Sequence, residues 1–162
     1  MTATTDVLFL CTGNSCRSQM AEALCRAIAS DRFRAFSAGA VAKGMNPRMI
    51  QVMREVGIDP TIQQSSKTLD CLVLAGQKFD VVVTVCGHAH ELCLHSSHTL
   101  GTIVHQPFDD PPALEAAAPH PAAALDIYRR VRDEIRRFIL SDRFLQMGAH
   151  RSQATTSRGA PR

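Results

Sequence analysis

The chain has no tryptophan and one tyrosine, and aromatic residues are only 5% of it. A site that grips a flat ring between aromatic walls has little to be built from. Long apolar runs are also missing, so no segment is expected to span a membrane. Met1 to Asp6 carries no positive charge, and the apolar run behind it is too short for a secretory signal, which predicts a cytoplasmic protein. Charge excess is small, +3 with a pI near 8.7. Much of it lies in the last third, which predicts no nucleic-acid partner. No long low-complexity tract interrupts the chain, and 162 residues suffice for one domain with a real core. The domain is expected over residues 1–145, with 146–162 a disordered tail of Gly, Ser, Thr, Ala and Arg, and a monomer is the default. What the chain does have is cysteine: six in all. In a cytoplasmic protein these are not a disulfide scaffold, so some should be catalytic or redox-active.

The chain is organised around one stretch near its start. Val7 to Leu10 is an apolar run of strand length, ending at Cys11. From Ser18 to about Ser30, Met20, Leu24, Ala27 and Ile28 recur at helical spacing. The loop between, Thr12-Gly13-Asn14-Ser15-Cys16-Arg17-Ser18, therefore sits at a helix N-terminus, where backbone N–H groups lack intrahelical partners and anions are favoured. Gly13 and Asn14 tolerate the unusual dihedrals of a phosphate-sized cradle. Cys11 is expected to be a thiolate nucleophile, supported by the helix dipole, Arg17 and the Ser18 hydroxyl. Arg17 offers a planar fork to two oxygens of a tetrahedral oxyanion. Cys16 reads as a small loop residue and Cys25 as helix packing.

Downstream, strands and helices alternate. Arg34 to Ser37 reads as a strand, followed by a Ser37-Ala38-Gly39 turn. Asn46 and Pro47 open a helix with Met49, Met53 and Val56 on one face, stopped by Gly57. A helix starting at Ser65 or Ser66 is expected to bury Leu69, Leu72 and Val73, end near Gly76 and carry Cys71. Asp80 to Val85 has the valine-rich pattern of a central parallel strand, with Cys86 at its carboxyl end, the edge where open α/β sheets bind ligands. Thr102 to Val104 is a fourth strand and Phe108 to Pro112 a loop. Pro121 opens a last helix with Ala124, Tyr128, Val131, Ile135 and Phe138 along one stripe.

Cys11-Thr12-Gly13-Asn14-Ser15-Cys16-Arg17-Ser18-Gln19-Met20-Ala21-Glu22 closely resembles the phosphate loop of thioredoxin-coupled arsenate reductases, which share their fold with low-molecular-weight tyrosine phosphatases. Ser37-Ala38-Gly39, Cys86 with Cys93, and Phe108-Asp109-Asp110-Pro111 extend the resemblance from Val7 to about Leu140. It implies a three-layer α/β/α sandwich whose four-stranded parallel sheet has the order 2-1-3-4. It further implies that arsenate, in competition with phosphate or sulfate, binds the loop and is attacked by Cys11, with Asp110 as general acid. Cys86 then attacks Cys11 to release arsenite, and Cys93 attacks Cys86. Thioredoxin, or else glutaredoxin or a mycothiol system, reduces the Cys86–Cys93 bond, and no cofactor or resident metal is implied. Seven residues of helix span about 10.5 Å, whereas a disulfide needs Cα atoms within about 7 Å. The segment holding Cys86 and Cys93 must therefore unwind, and Gly87, His88, His90 and Glu91 make that cheap. Some relatives hold potassium through an Asn, a Glu, a Ser and an Asp. Asn14, Glu22 and Ser37 match three of these, but Ser66 stands at the fourth, so tight potassium binding is not expected.

Two other readings use the same residues. A tyrosine phosphatase would employ Cys11, Arg17 and Asp110 unchanged, but Pro112, Ala113 and Leu114 follow the Asp-Pro where such enzymes place aromatics. A metal module could draw on Cys86, His88, His90, Cys93, His95 and His98, although the cysteine spacing is not that of a zinc finger.

Overall fold

A computed structural model of the chain describes residues 3–95 and 100–148. Four strands, β1 (Thr5–Cys11), β2 (Phe33–Gly39), β3 (Val81–Thr84) and β4 (Thr102–His105), form one sheet in the order β2-β1-β3-β4. All neighbours are parallel; in register, Leu10 of β1 lies opposite Ala38 of β2 and Thr84 of β3. Central β1 is covered on both faces, and Val7 to Cys11 are all buried, which explains a strand read as an unbroken apolar run.

The helices are α1 (Arg17–Ile28), α2 (Pro47–Glu55), α3 (Leu69–Leu74), α4 (Gly87–Leu94), α5 (Pro111–Glu115), α6 (Pro121–Ile139) and α7 (Asp142–Leu145). Parallel connections are right-handed. The β1–α1–β2 crossover runs toward one edge and β3–α4–β4 toward the other, so α1 and α4 cover opposite faces and complete three layers. Helix α6 packs on α1, α2 and α5. Its buried stripe is the expected one: Ala124, Tyr128, Val131, Ile135 and Phe138.

Several local expectations are corrected. The Ser37-Ala38-Gly39 segment continues β2 and is not a turn. A Cβ on Gly39 would lie 2.7 Å from the Thr12 carbonyl oxygen and 2.8 Å from the Asn14 nitrogen, so glycine is required where β2 meets the loop. Helix α3 starts later than expected because Thr68, not a serine, caps it by accepting the Cys71 amide. Leu69, Leu72 and Val73 are only half-buried. Val56 and Ala27 are exposed, while Met49 and Met53 are fully buried. Pro111 opens α5 inside the expected loop, a position that suits a residue with no N–H. Beyond α6, Phe144 of α7 stacks on Phe33 at 4.4 Å between ring centroids. Gln146–Gly148, assigned by composition to the tail, form a 3₁₀ turn, and Thr5 donates to the Gly148 carbonyl. The expected tail from residue 149 lies outside the described residues. Among the described residues, no helix is long and apolar enough to cross a membrane.

Candidate active site

Cys11 ends β1 and is buried beside the N-terminus of α1. The loop that follows is pinned from outside. Val41 donates to the Thr12 carbonyl, Lys43 to that of Gly13 and Asn46 to that of Ser15, each at 2.9–3.0 Å. With those carbonyls turned outward, the amide edge faces in: the Asn14 N–H points at the Cys11 sulfur, 3.2 Å away. Asn14 is the only described non-glycine residue with positive φ, 47°, so the unusual dihedral falls there and not at Gly13. Cys16 is the helix N-cap without a side-chain cap bond, and α1 carries no acid in its first turn, leaving that end open to an anion. Burial pushes the Cys16 thiol far up, which suits a packing role.

Two side chains hold the sulfur's surroundings. The Ser18 hydroxyl lies 2.7 Å from Cys11 Sγ. Asn14 Nδ2 donates to Ser18 Oγ at 2.9 Å and to Ser37 Oγ at 3.0 Å. Arg17, mostly covered, donates from Nη1 to the Phe108 carbonyl at 3.1 Å, and its Nη2 lies 3.3 Å from Asp110 Oδ1. Asp109 faces away and pairs with Arg130 at 3.0 Å. The loop, Arg17 and Asp110 thus gather at one sheet edge.

Cys86 joins them. Val85 donates to the Leu10 carbonyl at 3.0 Å, so the chain past β3 runs alongside the Cys11 end of β1. The Cys86 sulfur lies 3.5 Å from Thr12 Oγ1, one residue beyond Cys11. The same sulfur caps α4, accepting the Ala89 amide at 3.4 Å. Cys93 does not reach this cluster. It is buried in the last turn of α4, and burial pushes its thiol up to about 11. All six cysteines are free thiols; Cys71 is exposed and Cys25 fully buried.

Among the described residues, the histidines do not assemble into a metal site. His90 and His105 stack at 4.3 Å, and both direct Nδ1 at Thr84 Oγ1, 3.3 and 2.8 Å away. His88 and His95 are exposed, and His98 lies outside the described residues. Among the described residues, no group of three His, Cys, Asp or Glu could hold a metal ion. The potassium-type positions do not fit an alkali cation either. Glu22 Oε1 accepts from Arg26 at 2.8 Å, and Oε2 accepts from Ser37 at 2.6 Å with Lys67 Nζ 3.8 Å away. Ser66 Oγ accepts from the Gly44 amide at 3.1 Å. A side-chain ammonium already stands beside the carboxylate.

Residues 6–140 match the family model described as low molecular weight phosphotyrosine protein phosphatase. The chain belongs to that family. Among curated proteins, it is 45% identical over 129 residues to an arsenate reductase of Halalkalibacterium halodurans, covering 80% of this chain and 88% of that protein. It is 42% identical over 142 residues to an arsenate reductase of Bacillus cereus, covering 88% and 95%. Among solved structures, an arsenate reductase in the phosphate-binding state aligns with TM-score 0.63 at 25% identity, over 91% of this chain and 98% of that one. A low-molecular-weight protein tyrosine phosphatase from T. tengcongensis aligns with TM-score 0.64 at 23% identity, over 91% and 99%, a likeness of fold.

Sequence reasoning missed the second layer under this family's phosphate loop. Gln19 Nε2 donates to Asn14 Oδ1 at 2.9 Å, Gln64 Nε2 donates to Gln19 Oε1 at 2.6 Å, and the Lys67 amide donates to Asn14 Oδ1 at 2.8 Å. The only tyrosine, Tyr128, is buried with its hydroxyl donating to Glu115 at 2.6 Å. It is not part of an aromatic wall.

Proposed function

We propose that the protein is an arsenate reductase of the cytoplasm, working through Cys11, Cys86 and Cys93 with thioredoxin as reductant. The observation that carries this reading is the second thiol at the cradle: the Cys86 sulfur lies 3.5 Å from the Thr12 hydroxyl, next to the nucleophile. Hydrolysis of a phosphate ester has no use for it. The arsenate reductases of Halalkalibacterium halodurans and Bacillus cereus, 45% and 42% identical to this chain, support the same reading.

The chemistry runs in three transfers. Arsenate occupies the amide edge of residues 12–18, with the Arg17 fork on two of its oxygens. Cys11 forms a bond to arsenic, and Asp110 protonates the departing oxygen, which leaves as water. Cys86 then attacks the Cys11 sulfur. An S–S bond forms, the S–As electron pair stays on arsenic, As(V) becomes As(III), and arsenite departs. Cys93 attacks Cys86, Cys11 leaves as a thiolate, and the Cys86–Cys93 disulfide accepts two electrons from the thioredoxin dithiol.

Phosphatase action is the second reading, favoured by the shared cradle of Cys11, Arg17 and Asp110. Along α5 that cradle is flanked by Pro112, Ala113 and Leu114, which offer no ring to hold a phenyl group. Slow hydrolysis of small aryl phosphates is therefore expected as a side activity. The decisive experiment is arsenate reduction coupled to thioredoxin, run on Cys11→Ser, Cys86→Ser and Cys93→Ser, with glutaredoxin and mycothiol systems as alternative reductants. Cys11→Ser should lose arsenate reduction and aryl phosphate hydrolysis together. Residual phosphatase turnover in that variant, or full arsenate turnover in Cys86→Ser, would overturn the reading.

A further inference from the structure

A chain of hydrogen bonds leads from a lysine to the nucleophile. Glu22, on α1, is buried with only 1% exposure. It lies between Arg26, which donates to Oε1 at 2.8 Å, and the ammonium of Lys67, 3.8 Å from Oε2. Burial pushes the Glu22 carboxyl up and the Lys67 ammonium down, toward neutral forms, and the charge of each opposes the other's shift. Lys67 is held in place by its backbone. Its carbonyl accepts the Gly39 amide at 2.9 Å, its N–H donates to Asn14 Oδ1 at 2.8 Å, and Nζ also donates to the Ser65 carbonyl at 2.9 Å.

Counting protons gives the chain a direction. The Asn14 amide nitrogen has two hydrogens, one donated to Ser18 Oγ and one to Ser37 Oγ. The amide cannot flip, because its oxygen accepts from Gln19 and from the Lys67 N–H. Each serine is left with a single proton. That of Ser37 goes to Glu22, 2.6 Å away, and that of Ser18 is left for Cys11 Sγ, 2.7 Å away. A carboxylate only accepts, so an ionised Glu22 enforces this order. A protonated Glu22 would donate to Ser37 and leave the Ser37 hydrogen without its acceptor, loosening the grip on Asn14.

We propose that Lys67 is a positioning residue for Cys11: its ammonium is the built-in counterion that keeps Glu22 a carboxylate and so, through Ser37, Asn14 and Ser18, fixes a donated hydrogen bond on the reacting sulfur. The network then needs no free alkali cation. This rests on the reading of Cys11 as the nucleophile. The other charged or titratable groups in the neighbourhood are Arg26 at Glu22, Arg17 with its partner Asp110 at the cradle, Lys43 with its stem against Gly13, Cys16 in the loop with Glu115 acting on it, and Cys86 across Thr12.

The test is the rate at which iodoacetamide alkylates Cys11 in the full chain, followed against pH by peptide mass spectrometry. Lys67→Met should move the profile to higher pH and slow alkylation at neutral pH about tenfold. Lys67→Arg should restore it, and Lys78→Met, at the other edge of the sheet, should leave it unchanged. In a Glu22→Gln background, Lys67→Met should add less than about a twofold effect, because the two act on one network. Replacing potassium by tetramethylammonium at constant ionic strength should leave wild-type arsenate turnover unchanged, a measurement that does not depend on any variant folding. An unmoved profile in Lys67→Met, an equal shift in the Glu22→Gln background, or a wild-type enzyme that needs potassium would overturn the inference. If wild-type Cys11 alkylates no faster at neutral pH than exposed Cys71, the nucleophile reading itself fails.

Discussion

Cys86 caps the helix that buries Cys93. Its sulfur accepts the Ala89 amide in the first turn of α4, while Cys93 sits in the last. A helix of this length holds the two apart by about 10.5 Å, and a disulfide tolerates Cα separations up to about 6.8 Å. The two sulfurs therefore meet only if α4 melts. What opposes it is the burial of two side chains and one polar anchor: His90, expected to make unwinding cheap, instead stacks on His105 and meets Thr84. The helix has eight residues and buries only Ala89 and Cys93. Helices shorter than about 12 residues are marginal without packing. Gly87, exposed at the first helical position, contributes no side chain to hold it.

If melting of α4 delivers Cys93, Cys93→Ser should complete one round and stop. Mixed with one equivalent of arsenate, the variant should release up to one equivalent of arsenite and accumulate a Cys11–Cys86 bond, seen by mass spectrometry of alkylated peptides. Thioredoxin-driven turnover should fall to background. Steady turnover in this variant would mean that another thiol, with exposed Cys71 the obvious choice, resolves the intermediate.

The buried Cys93 thiol also gives α4 a pH dependence of known sign. Burial raises its pKa from 9.0 to about 11, so the folded helix favours the protonated thiol. That contribution to stability is fully present below pH 9.0 and is lost as pH rises toward about 11. Amide hydrogen exchange in α4, corrected for intrinsic rates and referred to α1, should accelerate across this window, and Cys93→Ala should remove the acceleration. At neutral pH, Cys93 should alkylate more slowly than Cys71. Equal rates for the two would show that α4 does not protect its cysteine.

The parts of this molecule that were legible in sequence are those with a periodic or punctuating signal. Unbroken apolar runs gave β1 and β3 because both are covered on two faces. Asn46–Pro47 and Gly57 bracketed α2 because capping and positive φ are local chemistry. The start of α3 was displaced because serines resemble caps wherever they stand, while Ser66 spends its hydroxyl on the Gly44 amide. Helix α7 was invisible since four residues carry no period and its one anchor, Phe144, packs on rings distant in sequence. At the site, the loop was readable because cysteine, glycine and arginine lie within one short stretch. The layer beneath was not. No local pattern marks Gln64 or Lys67, and bonds to residues distant in sequence, the Gly39 amide on the Lys67 carbonyl and Gln19 on the Ser65 carbonyl among them, bring that segment under Asn14.

Cys25 separates packing from chemistry. It is fully buried on α1, and burial pushes its thiol to about 12, so it stays protonated and unreactive. Cys25→Ala should cost about 1 kcal/mol for the lost buried group. Cys25→Ser should cost about 1–3 kcal/mol, because a hydroxyl would be buried in an apolar setting. Urea unfolding measures both. Folded protein of either variant should retain the arsenate reductase rate, and a large loss of rate at preserved stability would place Cys25 in the relay.

Asp110 is the remaining member of the cradle, and its partner tells how it works. Arg17 divides its guanidinium between the Phe108 carbonyl and the Asp110 carboxylate. An oxyanion that takes Nη2 of the Arg17 fork competes with Asp110 for it, which leaves that carboxyl beside the anion, where the proposed general acid has to stand. Pro111 and α5 hold it nearby, since Glu115 at the far end of α5 is tied to Arg48 at 2.7 Å and to Tyr128. The Arg17–Asp110 pair is 43% exposed on the Asp side, and such pairs contribute at most about 1 kcal/mol. Asp110→Asn should therefore change sulfate affinity by less than about fivefold, toward tighter binding if at all, because a competitor for Arg17 is removed. Adduct formation in a single turnover should fall by about 10²–10⁴-fold, the usual worth of a positioned acid. Measured together, the two numbers separate the roles. A loss of affinity as large as the loss of rate would make Asp110 an anion-binding group, and an unchanged rate would leave the departing oxygen to be protonated by solvent.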